Sequence, residues 1–139
     1  INKIKKEKYL PDIFKIYSKK QIPFSYIISN EEEMLGVNTF SEFILVEKIF
    51  QKLIVKKYLE KGVLVKKPDS SYFSYDTKIE TGAIIEQNVI IKNKVIIKSG
   101  TIIKSFSYLE GATIDSECVI GPSARIRPTT IINNNQHIA

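Results

Sequence analysis

The sequence predicts a mixed α/β segment, then a long helix, then a parallel β-helix. Three observations carry this reading. An aliphatic residue returns every six positions from Ile79 to Leu109, and again from Ile114 to Ile138. Apolar residues from Phe40 to Leu59 follow a period near 3.6. Ahead of them, helix and strand signals alternate.

In the first segment, Tyr9-Leu10-Pro11-Asp12 leads into Ile13, Phe14, Ile16 and Tyr17. This amphipathic pattern, with Pro in the first turn, predicts a helix over 11–20. Pro23 to Ser29 is aromatic and β-branched, which predicts a strand. Asn30, followed by Glu31, Glu32 and Glu33, is the N-cap pattern of a short helix that Gly36 ends. The long helix is predicted over 40–61 and stopped by Gly62. Its length suits either an arm joining two bodies or an ordinary core helix.

The remainder repeats with period six. Ile79, Ile85, Ile91, Ile97, Ile103 and Leu109 are followed, after a slip of one residue, by Ile114, Ile120, Ile126, Ile132 and Ile138. A second, smaller set lies four residues on: Ala83, Val89, Val95, Thr101, Ser107, Cys118, Ala124 and Thr130. A plain strand alternates with period two and a helix with 3.6, so neither explains a sustained six. A fixed hexapeptide period is the signature of a parallel β-helix, with three six-residue units to a coil of about 18 residues. The leading residues then stack into core ladders between neighbouring coils. Ile84, Ile90, Ile96 and Ile102 precede the leading positions and point outward. They read as scattered surface residues or as an apolar column covered by a neighbouring subunit.

Of the 25 Ile, 15 fall between Ile79 and Ile138, so the period decides where they lie. Apolar content of 43% with 26% charged residues describes a globular chain with a core and excludes a disordered tail. No apolar run approaches the roughly 20 residues of a membrane span. The single cysteine, Cys118, cannot form an internal disulfide and reads as core packing. The formal charge of +6 is uneven. Residues 1–20 carry seven Lys against Glu7 and Asp12, whereas residues 68–139 balance five Lys and two Arg against seven acids. A basic excess concentrated in Asn2–Lys8, rather than on a folded face, argues against a nucleic-acid partner. The chain opens on Ile1 and stops at Ala139 with the repeat in phase, as expected of a piece of a longer chain.

Chemistry-bearing residues are few. His137, the only His, lies in a polar turn without a nearby carboxylate and reads as a solvated residue rather than a base. Arg125 and Arg127, the only arginines, stand two residues apart beside Pro122 and Pro128. Alternation puts them on one side of a short strand. They suit either a phosphate or carboxylate ligand or a surface salt bridge. Asn38 is a loop amide ahead of the long helix, or its N-cap.

Four stretches resemble a known family. Glu7-Lys8-Tyr9-Leu10-Pro11-Asp12 is similar to its E-Y-Y-L-x-D, and Glu33-Met34-Leu35-Gly36-Val37-Asn38 to its E-x-x-G-V-N. Lys61-Gly62-Val63 with Pro68-Asp69 resembles its G-V…D-P. Ile120-Gly121-Pro122-Ser123-Ala124-Arg125-Ile126-Arg127-Pro128 is similar to its I-G-P-F-A-R-L-R-P. The family is the bacterial bifunctional UDP-N-acetylglucosamine pyrophosphorylase / glucosamine-1-phosphate N-acetyltransferase.

The resemblance implies three regions. Residues 1–39 would be the C-terminal part of an α/β nucleotidyltransferase domain. Residues 40–67 would be a connecting helix and linker. Residues 68–139 would be the first coils of a left-handed β-helix. It places Asn38 on the family residue that binds Mg²⁺ and the sugar nucleotide, and Arg127 on the residue that holds the substrate phosphate. It carries no catalytic residue onto this chain. Thr39 and Phe40 stand where the family usually has Asn or Arg.

The resemblance further implies UTP and acetyl-CoA as co-substrates, sugar phosphates and nucleotides as ligands, a homotrimer built through the β-helix, and a cytoplasmic location. It implies no nucleic-acid or membrane partner. The chain alone is expected to be inactive. Two other readings remain at this point: a different hexapeptide sugar-1-phosphate nucleotidyltransferase, and a non-catalytic trimerisation module.

Overall fold

In a computed structural model, residues 9–139 are described. The basic stretch Asn2–Lys8 lies outside the described residues, and so does part of the first family-like motif. The chain divides into two units, one ending at Leu35 and the other spanning Gly36–Ala139.

In the first unit, helix α1 covers Asp12–Lys19, with Pro11 at the N-cap. Pro supplies the helical φ of −59° there and lacks an N–H that would go unpaired. After Gln21 (φ 54°) the chain turns back, and Phe24 packs on Phe14 and Tyr17 of α1 with ring centroids 5.5 and 6.5 Å apart. Pro23–Ser29, expected as a strand, forms none: no ladder partner faces it among the described residues. Residues of the right composition make a strand only when a neighbouring strand takes their N–H and C=O groups. The short helix after Asn30 is a single 3₁₀ turn, Glu31–Met34, without a side-chain cap bond from Asn30.

The second unit begins with α2, Phe40–Glu60. Thr39 and Glu42 form a capping box: the Thr39 hydroxyl accepts from Glu42 N–H, and the Glu42 carboxylate accepts from Thr39 N–H at 2.8 Å. Gly62 (φ 78°) ends the helix in the left-handed conformation that favours glycine. Only Ile54, Val55 and Tyr58 of α2 are buried, all in its last two turns, whereas Phe40 is 90% exposed. Its last turns therefore pack on the core as those of a core helix do, while its first turns bury no residue.

The rest is a three-sided solenoid of two-residue parallel strands. The first face stacks Leu64–Val65, Ile84–Ile85, Ile102–Ile103, Val119–Ile120 and His137–Ile138. The second stacks Tyr72–Phe73, Ile90–Ile91, Tyr108–Leu109 and Arg125–Ile126. The third stacks Lys78–Ile79, Ile96–Ile97, Thr113–Ile114 and Ile131–Ile132. Six-residue sides, parallel ladders and about four coils make this the parallel β-helix expected from the period, in agreement with the left-handed form that the family resemblance implies. Ile85, Ile91, Ile97, Ile103, Leu109, Ile114 and Ile120 fill its axis with no solvent exposure. The four outward isoleucines do not form one column: Ile84 and Ile102 lie on the first face, Ile90 on the second and Ile96 on the third. A coil of 18 residues returns to the same face only at every third unit.

Two departures from period six have visible consequences. The corner after Val65 carries two extra residues, absorbed in a 3₁₀ turn at Pro68–Ser70. The corner after Leu109 is one residue short, and Gly111 (φ 54°) takes its left-handed position.

The first coil would leave open strand edges, and α2 covers them. The Gln51 carboxamide acts as a surrogate strand: its Nε2 donates to Phe73 O at 2.9 Å and its Oε1 accepts from Phe73 N–H at 3.0 Å. The Tyr58 hydroxyl donates to Thr77 O at 2.6 Å. Burial, then the neighbouring Asp76 carboxylate, pushes the Tyr58 phenol up to about 12.

Candidate functional site

Arg125 and Arg127 meet the solvent at the corner that follows the second face. Arg125 stands outward on its strand, Ile126 points into the core, and Arg127 begins the turn through Pro128 and Thr129 (φ 69°). Both arginines are exposed, and neither joins an ion pair among the described residues. That disposes of the surface salt bridge as an explanation of the pair. The Arg125 guanidinium lies over the Tyr108 ring, 5.8 Å from its centroid.

The coil below shapes this corner. Thr129 N–H donates to Gly111 O at 2.8 Å. A Cβ on Gly111 would lie 3.0 Å from Pro128 Cβ and 3.1 Å from Pro128 Cα. The one-residue deletion and the glycine together let the Arg127-Pro128 turn settle onto the layer beneath. The sequence signal for this was the slip in the period, which marked the place without revealing its purpose.

Asn38 lies elsewhere, immediately before the Thr39 cap. It is not the N-cap: its backbone N–H donates to Glu42 Oε2 at 2.7 Å, while the carboxamide has no hydrogen-bond partner among the described residues. The Asn38 N–H foremost, then the Thr39 N–H and hydroxyl, hold the Glu42 carboxyl below its ordinary value. An amide oxygen is a hard neutral donor that suits Mg²⁺. Glu42 is committed to the cap, however, and no group of three or more His, Cys, Asp or Glu suited to a metal occurs among the described residues. Asn38 therefore fits as one ligand of a metal site and not as a whole one. Among the described residues no hydrogen bond or ion pair joins Asn38 to Arg127.

The remaining candidates are His137 and Cys118. His137 is exposed on the outer side of the first face. Cys118 is buried on the core side, with its thiol against Asn133 O at 3.0 Å. A shallow cleft of about 290 Å³, lined by Lys66, Lys67, Glu86, Gln87 and Ser105, opens beside the two-residue insertion. Composition and motif reading missed it because it arises from stacking of corners 18 to 20 residues apart. No helix among the described residues is long and apolar enough to cross a membrane.

No family model matches the chain. Its similarity to curated proteins is extensive. It is 38% identical over 126 residues to the "Bifunctional protein GlmU" of Bartonella bacilliformis, covering 91% of this chain and 28% of that protein. Proteins of the same name from Jannaschia and Wolbachia pipientis are 35% and 36% identical over 132 residues, which is 95% of this chain. The chain thus spans 28 to 31% of the length of these three relatives. Across this stretch, the chain is a relative of the bifunctional GlmU proteins.

Proposed function

We propose that this chain is part of a bifunctional transferase that makes UDP-N-acetylglucosamine. The observation that carries the reading is the 38% identity over 91% of the chain, joined to an arginine pair left unpaired at the matching β-helix corner. In this reading the parent acetylates glucosamine-1-phosphate and then couples the product to UTP. The sugar amine attacks the acetyl thioester and coenzyme A leaves. In the second step a sugar-phosphate oxygen attacks the α-phosphorus of UTP and pyrophosphate leaves.

Arg127 anchors the phosphate of glucosamine-1-phosphate, with a charge-assisted contact that orients the amine end for transfer. Asn38 belongs to the uridylyl site, where its oxygen holds Mg²⁺ and the sugar nucleotide. Mg²⁺, when bound, neutralises the charge that develops on the phosphates. Residues 1–39, 40–67 and 68–139 serve as the end of the nucleotidyltransferase domain, the connecting arm and the first acetyltransferase coils. The β-helices assemble as a trimer, and the enzyme works in the cytoplasm on cell-envelope precursors.

In this reading the 139-residue chain is inactive by itself, because the family resemblance carries no catalytic residue onto it. The test is expression of the complete open reading frame. It should acetylate glucosamine-1-phosphate from acetyl-CoA and release pyrophosphate from UTP, and Arg127→Ala should impair only the acetyl transfer. Acetyl transfer unaffected by Arg127→Ala would sink the assignment of that residue. A complete protein lacking both activities would sink the whole reading.

A further inference from the structure

Each corner of the solenoid stacks the residues that follow paired core positions, and two of the three corners pair their charges. Lys66 and Glu86 follow the partners Val65 and Ile85 and meet at 2.9 Å. Lys98 and Asp115 follow Ile97 and Ile114 and meet at 2.8 Å. The third corner stacks Lys92, Glu110 and Arg127, which follow the partners Ile91, Leu109 and Ile126. Strands about 4.8 Å apart bring such side chains within easy reach, and opposite charges there attract. Even so, Glu110 forms an ion pair with neither neighbour among the described residues.

The difference lies in the outward residues of the adjoining strands. The first face offers Leu64 and Ile84 and the third offers Ile96 and Thr113, whereas the second offers Tyr72, Ile90 and Tyr108. Lys92 Nζ lies over the Tyr72 ring, 4.5 Å from its centroid. The Tyr108 hydroxyl donates to Glu110 Oε2 at 3.4 Å, while its ring carries Arg125. Lys92 and Glu110 of this corner thus each meet a tyrosine.

We infer that Tyr108 is a positioning residue for an anion site at Arg125 and Arg127: its hydroxyl holds Glu110 away from Arg127 and its ring seats Arg125, so that both guanidiniums face a phosphate monoester. This rests on the reading of Arg127 as the phosphate anchor. A carboxylate released onto Arg127 would compete with the ligand for the same donors.

Because Arg125 and Arg127 are the only arginines, the arginine Nε–Hε NMR spectrum of the 139-residue chain holds two signals. Titration with glucosamine-1-phosphate should shift both and saturate, and Arg127→Ala should abolish saturation. Tyr108→Phe keeps the ring and should weaken binding about two- to fivefold, the worth of an exposed ion pair gained in the free protein. Adding Glu110→Gln to Tyr108→Phe should restore the original affinity, since no carboxylate then competes. A Tyr108 of purely structural importance would show no such rescue. Unchanged affinity in Tyr108→Phe, or failure of the rescue while Arg127→Ala still abolishes binding, overturns the positioning role alone. Absence of saturable shifts in the unaltered chain, or shifts indifferent to Arg127→Ala, overturns it together with the phosphate reading.

Discussion

In the solenoid, Ile91, Ile97 and Ile103 are wholly removed from solvent, whereas Ile27 and Ile28, in the segment after α1, are 94% and 87% exposed. No residue between 9 and 35 is buried at all. The two regions share an isoleucine-rich, aromatic-containing vocabulary, and what separates them is the source of their contacts. A coil of the solenoid needs only the coils beside it, which are at most 20 residues away in sequence. The 23–29 stretch has strand composition but no strand to pair with among the described residues. β-propensity records fitness for a paired, half-buried surface and does not create one.

The largest expected effect tests that contrast directly. Ile97→Ala removes a side chain that ladders with Ile79 and Ile114, and should cost about 3 kcal/mol through lost burial and the cavity left behind. Ile27→Ala should change stability by less than about 0.5 kcal/mol. Urea unfolding followed by circular dichroism compares the two, and equal losses would break the distinction between the regions.

A smaller effect sharpens the boundary between the solenoid and its cap. Gln51→Ala leaves the N–H and C=O of Phe73 without their partners and should cost about 1–3 kcal/mol. Hydrogen exchange should speed at the Phe73 amide more than at Ile97. Uniform acceleration would mean that α2 stabilises the whole stack rather than its first edge.

The smallest effect concerns the corner charges. The Lys66 ammonium foremost, then the Ser105 N–H and hydroxyl, hold the Glu86 carboxyl below its ordinary value of 4.5. A depressed folded value means stability that is present above about pH 4.5 and lost as pH falls through the folded value. The Tm advantage of the unaltered chain over Glu86→Gln should therefore be present at neutral pH and shrink below pH 4.5. An advantage independent of pH would show that Glu86 acts by packing and not by charge.

How much was legible in advance follows the range of the interactions concerned. The leading isoleucines announced the β-helix because its core is written at a fixed spacing that stacking converts directly into ladders. Phe73 extends that series one unit earlier, six residues before Ile79, but the two-residue insertion behind it hid the continuation back to Val65. The motif around Arg127 identified the arginine corner, but not the Tyr108 ring that lies under Arg125 there.

Period, helix limits and the family-like motifs were therefore present in the order of residues, because each depends on neighbours a few positions away. Three matters were decided only when coils were laid on one another. Gln51 became a strand substitute for Phe73, Gly111 came to lie beneath Pro128, and Tyr108 came to lie under Arg125. Each joins residues that are 17 or 22 positions apart, through the return of the chain or the backfolding of α2. No local pattern encodes such returns, since they exist only once the backbone has closed a turn of the solenoid.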